Sequence, residues 1–280
     1  MKRILVTGGN AGIGKALCKQ LASEDGAFVY MTSRSPEKGA EALASIIAEA
    51  PACEGKIEVI KMDVQSDDSV KQAAQAVTEK LGTEKLYAIV NNAGAGLAHG
   101  VAIAQVIDTN LYGPKRVCDA FMPLMPESGG RIVNVGSGIG PGWMSRAAPE
   151  VRSILCNPSG VTWEQIDQVA QADLAAKPDD GMNAYGVSKA TVMSYTMLLA
   201  RSHAGVLCST ISPGFIQTEM TKGFNAKLTP EQGTVSIRHC LFAALEGSGW
   251  MWGSDGKRSP VDASREPGEP PYTDLEGRGW

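Results

Sequence analysis

Tyr185 and Lys189 stand four residues apart in Asn183-Ala184-Tyr185-Gly186-Val187-Ser188-Lys189, the only Tyr-x-x-x-Lys spacing in the chain. On a helix, positions i and i+4 share a face. An ammonium beside a phenol favours the phenolate and draws the tyrosine pKa down from about 10 toward the working range. A phenol tuned this way gives or takes a proton near neutral pH. The plainer alternative is a surface tyrosine beside a solvated lysine. Ser137 closes the run Gly130-Arg131-Ile132-Val133-Asn134-Val135-Gly136. Its hydroxyl is placed to hold a carbonyl oxygen, unless it is an ordinary loop serine. Asn110 falls inside a helical pattern, where asparagine is a poor helix former. It either distorts the helix and bonds a buried water or is a neutral exposed position.

A second group of residues suits a phosphate. Thr7-Gly8-Gly9-Asn10-Ala11-Gly12-Ile13-Gly14 follows an apolar run and opens a helical one. Strand, glycine-rich turn and helix start are the context of a dinucleotide site. Glycine lets the backbone approach a pyrophosphate, and the helix N-terminus offers free N–H groups and a positive dipole end. An unliganded tight turn is the alternative. About twenty residues on, where an NAD site carries an acid for the ribose 2′-hydroxyl, the chain has Thr32-Ser33-Arg34. The Arg34 guanidinium suits a 2′-phosphate, which predicts NADP(H). Asp63-Val64 and Asn91-Asn92-Ala93-Gly94 each follow an apolar run. Carboxyl ends of strands are where open α/β sheets bind ligands, although Asn, Asp and Gly also make plain turns.

The elements that must carry these residues are short β-rich runs alternating with helical segments. Strands are expected at Arg3–Thr7, Phe28–Thr32, Ile57–Lys61, Leu86–Val90, Arg131–Val135 and Val206–Ile211. Helices are expected near Ile13–Glu24, Pro36–Ala50, Asp67–Leu81, Ile103–Leu124 and Ala184–Ser202. Several strands are apolar almost throughout, as when both faces are covered. The alternation predicts an α/β fold, a doubly wound parallel sheet of Rossmann type with helices on both faces. All 280 residues read as one domain enlarged by two additions. A helical insertion spans about 138–183. Within it Thr162 reads as an N-cap with Gln165 as capping-box partner, Val161 and Ile166 as a hydrophobic staple, and Pro178 as the far end. The stretch 254–280, rich in Gly, Pro and charge, reads as an arm rather than core.

Composition closes off other classes. The hydrophobic fraction of 43% and charged fraction of 20% are those of a globular protein. The net charge of −4 argues against nucleic-acid or anionic-membrane binding. The six cysteines stand at least 32 residues apart, unlike a zinc site, redox pair or disulfide scaffold. No run approaches the roughly 18 apolar residues of a membrane span, and the first apolar run is too short for a signal peptide. A cytoplasmic protein is expected. His99, His203 and His239 form no supported triad or metal set. Trp143 and Phe215 are candidates to line a substrate pocket.

Together, Thr-Gly-x-x-x-Gly-Ile-Gly (7–14), Asn-Asn-Ala-Gly (91–94), Asn110, Ser137, Tyr-x-x-x-Lys (185–189) and Pro213-Gly214 resemble the short-chain dehydrogenase/reductase family, in its order, over about residues 1–250. Thr-Gly-Gly-Asn (7–10), Thr-Ser-Arg (32–34) and the long insertion before Tyr185 look most like its monomeric NADPH-dependent carbonyl reductases. The resemblance implies that Tyr185 protonates the substrate oxygen as the nicotinamide delivers hydride. It makes Ser137 the residue that orients that oxygen. Lys189 would hold the nicotinamide ribose and lower the Tyr185 pKa, and Asn110 would support a water-linked proton relay. Gly8, Asn10, Gly12, Ile13 and Gly14 would cradle the cofactor, and Asp63 and Val64 would meet its adenine. Asn91, Ala93 and Gly94 would meet the ribose region, and Pro213, Gly214, Ile216 and Thr218 the carboxamide end. Three departures stand out. Gly136 replaces a common serine and Ser209 a common asparagine; the short stretch between Gly94 and Asn110 reduces one pocket wall.

The implied function is NADPH-dependent reduction of an aldehyde, ketone or quinone. The alternatives are an NADP-dependent alcohol or steroid dehydrogenase and a non-catalytic NADP sensor. The insertion implies a monomer, because by resemblance it covers the helix faces that tetrameric members use. The expected partner is a small carbonyl or alcohol substrate, with no metal, nucleic acid or membrane.

Overall fold

Alternating strand residues sort into two cores, one on each face of a sheet. Leu5, Ile89 and Ile132 belong to one, and Ile4, Val6, Ala88, Val90 and Val133 to the other. This period of two is the sheet pleat, and it is legible only because both faces are covered. The computed structural model describes residues 1–96, 101–177 and 179–273. Its first half runs β1 (Arg3–Val6), α1 (Gly12–Ser23), β2 (Phe28–Ser33), α2 (Pro36–Glu49), β3 (Ile57–Lys61), α3 (Asp67–Leu81) and β4 (Ala88–Asn91). Ser35 and Ser66 cap α2 and α3, each accepting a hydrogen bond from the backbone N–H three residues on.

After β4 come α4 (Ile103–Ile107), α5 (Gly113–Phe121) and β5 (Gly130–Val135). The insertion adds α6 (Ile139–Met144), α7 (Pro149–Leu155) and α8 (Trp163–Ala176) before the long α9 (Gly181–Ser202). Then follow β6 (Val206–Ile211), α10 (Val235–Phe242), β7 (Trp250–Trp252) and β8 (Arg258–Ser259). Strand order is β3-β2-β1-β4-β5-β6-β7-β8. All neighbours are parallel except β7 and β8. The chain thus starts mid-sheet and winds outward in both directions, the expected doubly wound fold. Carboxyl ends of β1, β2, β4 and β5 share one rim, with the glycine loop, Arg34, Asn91 and Ser137 on it.

Four differences from the sequence expectation have physical causes. The single helix expected over 103–124 breaks into α4, a π-helical turn (Asp108–Tyr112) and α5, because Pro114 has no N–H to continue the ladder. Helix α9 starts three residues earlier than expected, since Asp180 accepts from the Asn183 N–H at 2.9 Å and caps it. The apolar run Trp250-Met251-Trp252 is too short to stand out, yet it pairs with β6. Finally, the expected arm from 254 joins the sheet in part. β8 pairs antiparallel with β7, Ser259 and Val261 are buried, and Arg265 ion-pairs with Asp255.

Within the insertion, the expected capping box forms. Thr162 N–H donates to Gln165 Oε1 at 3.0 Å and Gln165 N–H to Thr162 Oγ1 at 3.3 Å. Val161 and Ile166 are both buried in the same core. Pro178, His99 and residues 274–280 lie outside the described residues. Helix α8 lies over α9 and the π turn: the Trp163 ring meets Tyr195 edge-on at 5.6 Å and Tyr112 at 5.8 Å, and Lys115 of α5 stands 4.9 Å over it.

Candidate active site

The turn after β1 is held from two strands. Thr7 Oγ1 accepts from Ala93 N–H at 2.8 Å, and Asn92 Nδ2 donates to the carbonyls of Thr7 and Gly8 at 2.9 and 3.3 Å. Gly8 and Gly9 N–H groups donate to Oγ1 and the carbonyl of Thr32. Gly8 has φ of +62°, which a side chain strains, and a Cβ there would lie 3.0 Å from Ala93 Cα. At Gly14 a Cβ would lie 2.4 Å from the Gly8 carbonyl oxygen, so the turn closes only with glycine. Ala11, the N-cap of α1, supplies no side-chain acceptor, which leaves the first N–H groups of α1 for an anion. A dinucleotide pyrophosphate fits this cradle. Asn10 and Ile13 lie in the same turn. Arg34 is exposed just past β2 and makes no ion pair with the described residues.

The neighbouring positions divide. Asp63 Oδ1 accepts from Gln65 N–H at 3.0 Å, an Asx turn at the end of β3, and Val64 packs against Gly113. Ala93 and Gly94 present backbone beside the glycine turn. Asn91 turns its amide inward: Nδ2 donates to Asn134 Oδ1 at 2.8 Å on the paired strand. Its Oδ1 is buried without a partner among the described residues.

Ser137, Tyr185 and Lys189 converge where β5 ends against α9. Ser137 Oγ accepts from Ile139 N–H at 3.2 Å, which fixes its rotamer. Lys189 is buried, and its Nζ donates to the Val135 carbonyl at 2.8 Å and sits 5.6 Å from the centre of the Tyr185 ring. Burial lowers the Lys189 pKa to about 8. Burial raises the Tyr185 phenol above its ordinary value, and a hydrogen bond from Ser137 opposes that rise. The net direction is opposite to the lowering expected from the sequence. Desolvation is the larger effect here, and Lys189 addresses a carbonyl rather than the phenol.

Asn110 occupies the π turn and does not address Lys189. Its Oδ1 accepts from Ala95 N–H at 2.9 Å, and its Nδ2 donates to the Ala95 carbonyl at 2.9 Å and Ser188 Oγ at 3.0 Å. Ser188 Oγ donates in turn to the Tyr185 carbonyl at 2.8 Å. Asn110 therefore ties the segment after β4 to the turn of α9 that carries Tyr185. Its Nδ2 is satisfied by two protein acceptors, and its Oδ1 by one donor. Gly136, the departure before Ser137, has no room for a serine side chain: a Cβ would lie 2.6 Å from Thr210 Cγ2. Beyond β6, Pro213-Gly214 turns the chain, and Ile216 is buried and bridges to Leu228. Thr218 then approaches the glycine turn, its Cγ2 lying 3.1 Å from a Cβ built at Gly12. Among the described residues no group of three His, Cys, Asp or Glu is placed to hold a metal. His203 is the C-cap of α9.

The chain as a whole is similar to known proteins. The family model for short chain dehydrogenases matches residues 2–148. The chain belongs to the short-chain dehydrogenase family. It is 34% identical over 277 residues to a (+)-neomenthol dehydrogenase of Arabidopsis thaliana, covering 86% of this chain and 92% of that one. Among solved structures, salutaridine reductase of Papaver somniferum superposes with a TM-score of 0.77 at 26% identity, covering 90% of this chain and 99% of that one. The menthone neomenthol reductase of Mentha piperita superposes with a TM-score of 0.75 at 25% identity, covering 91% and 99%. As a member of this family the chain is an oxidoreductase of the kind that uses a nicotinamide cofactor.

For this short-chain dehydrogenase the tertiary structure adds residues that sequence reasoning passed over. Thr7, Thr32 and Asn92 brace the glycine turn, and Ser188 links Asn110 to α9. Asn183 joins the insertion to α9: its Oδ1 accepts from Trp143 Nε1 at 3.0 Å and Lys177 Nζ at 3.3 Å, and its Nδ2 donates to Asp173. All five lay inside the quoted motifs, but nothing in the sequence marked what each would contact. Trp143 lines a cavity of about 780 Å³ between α6, α7, α8 and the start of α9, whereas Phe215 is largely exposed.

Proposed function

We propose that the protein reduces a carbonyl group (aldehyde, ketone or quinone) to an alcohol with NADPH. The observation that carries this reading is the convergence of the Ser137 hydroxyl, the Tyr185 phenol and the buried Lys189 ammonium beside the glycine turn. NADPH bound there supplies the hydride. Ser137 orients the substrate oxygen by hydrogen bonding. Tyr185, whose phenol burial holds above its ordinary pKa, donates the proton that the oxygen needs. Lys189 carries the positive charge that steadies the developing oxyanion and the resulting phenolate. Asn110, acting through Ser188, holds that turn of α9 in place. The names of the relatives include both reductases and a dehydrogenase. Tyr185 and Lys189 are both present, which a non-catalytic sensor would not need.

Arg34 supports NADP over NAD, as a free guanidinium at the end of β2 where an NAD site would need an acid. By this reading the remaining cradle contacts are those of Asp63 and Val64 with the adenine and of Ile216 and Thr218 with the carboxamide end. By this reading the protein acts as a cytoplasmic monomer: α8 covers one face of α9, and no two of the six cysteines form a disulfide. Among the described residues no helix is long and apolar enough to cross a membrane. The deciding experiment follows NADPH consumption over a panel of carbonyl compounds with wild type and Tyr185→Phe. Loss of the acid is expected to cost at least about 10²-fold in turnover. Undiminished ketone reduction by Tyr185→Phe would overturn the mechanism.

A further inference from the structure

The cavity of about 780 Å³ inside the insertion is large for an accidental void and lies in the roughly 300–1,000 Å³ range of small-molecule sites. It lies next to the reaction site, although Ser137 and Tyr185 are not part of its lining. Ile139, whose N–H fixes Ser137, and Met182, three residues before Tyr185, both line it and are exposed at its mouth. Its walls are mainly apolar, Trp143, Val151 and Val169 among them. The charged groups in it are unequal. Asp173 is held by Lys177 at 3.8 Å and by Asn183, and Asp180 is spent as the N-cap of α9. Lys177 is likewise committed to Asp173 and Asn183. Arg146 lines the cavity too, yet its guanidinium makes no hydrogen bond or ion pair with the described residues.

We propose that this cavity receives the far end of the substrate and that Arg146 binds a carboxylate carried there. The substrate class is then an apolar keto acid, with the carbonyl at Ser137 and Tyr185 and the acid group at the other end. Arg146 is the one cation of the lining with no acid against it among the described residues, so it selects a single anionic charge, and Asp173 and Asp180 exclude a carboxylate from the rest of the wall. Seven residues of near-helical chain separate Ile139 from Arg146, so carbonyl and acid stand on the order of 10 Å apart. The proposal rests on the carbonyl-reductase reading and narrows it.

The test pairs keto acids of that spacing with their methyl esters, assayed with NADPH against wild type, Arg146→Gln and Arg146→Glu. Wild type is expected to favour acid over ester about tenfold in kcat/KM, through KM; the solvent access of Arg146 keeps the factor from being larger. The ratio falls to about one in Arg146→Gln and inverts in Arg146→Glu. Equal use of acid and ester by wild type, or a preference that survives Arg146→Gln, overturns the inference. A second measurement separates this from failure of the carbonyl-reductase reading. Binding of the acid without cofactor is followed by tryptophan fluorescence, with Trp143→Phe identifying the reporter. Arg146-dependent binding of the acid supports the site even if no carbonyl is reduced. Binding of acid and ester with equal affinity overturns it whatever the activity.

Discussion

Replacing Asn110 by leucine removes three hydrogen bonds while nearly keeping the side-chain volume. The lost bonds are those with Ala95 N–H, the Ala95 carbonyl and Ser188 Oγ, of 2.9, 2.9 and 3.0 Å. Each neutral bond is worth about 1 kcal/mol net, and a buried group left unpaired costs about 1–3 kcal/mol. Ala95 is only partly buried, so water recovers some of its loss, whereas Asn110 itself is 2% exposed. The expected cost is about 3 kcal/mol, a fall in Tm of about 6–12 °C at roughly 2–4 °C per kcal/mol. Thermal melting by circular dichroism at fixed protein concentration reads it out. The loss in activity is expected in kcat, because the Ser188 link runs to the turn that carries Tyr185. Asn110→Asp sharpens the test. Its carboxylate faces the Ala95 carbonyl and can donate to it only when protonated, so its folded pKa lies above the unfolded value. The stability that protonation confers is present at low pH and is lost as pH rises through the folded pKa. Asn110→Asp is therefore expected to close part of its gap to wild type between pH 8 and pH 5. An Asn110→Leu variant that melts within about 1–2 °C of wild type would refute the hydrogen-bond account.

Lys189 has a pKa of about 8, below its ordinary value, because it is buried. Its ammonium is thus lost as pH rises through about 8, and the rate of carbonyl reduction is expected to fall on that limb. A Lys189→Arg variant that stays charged moves the limb to higher pH in a kcat/KM profile; an unmoved limb assigns it elsewhere. For stability the sign is opposite: between that pH and the ordinary lysine value the unfolded chain holds more protons, so stability rises with pH there. The gap in Tm between Lys189→Met and wild type should shift accordingly across that window. Arg34→Asp is expected to weaken NADPH by about 1.5–3 kcal/mol and to leave NADH nearly unaffected, in titrations of both cofactors. Gly14→Ala, whose Cβ would lie 2.4 Å from the Gly8 carbonyl oxygen, should reduce cofactor affinity together with stability, by about 1–3 kcal/mol in melts without cofactor. Light scattering on the purified protein is expected to give the monomer mass; a tetramer mass would refute the covering role assigned to α8.

The sequence alone determined what depends on local chain chemistry. A glycine turn between an apolar run and a helix, a capping box at Thr162 and Gln165, and the i,i+4 pair Tyr185 and Lys189 are all short-range, and each stands where expected. Alternation of strands and helices likewise determined the parallel sheet, since right-handed crossovers leave few other topologies. Only the tertiary structure decided features set by distant neighbours. Pro114 and the reach of Asn110 to Ala95 broke a helix that periodicity left whole. The edge of β7 drew Arg258 and Ser259 out of an expected arm into the sheet. Burial reversed the direction expected for the Tyr185 phenol, because desolvation adds up over all surrounding atoms while sequence spacing shows one neighbour at a time. The same holds for Arg146. The sequence shows a cation, and only the packing of α6, α7 and α8 shows that its nearby acids are already taken.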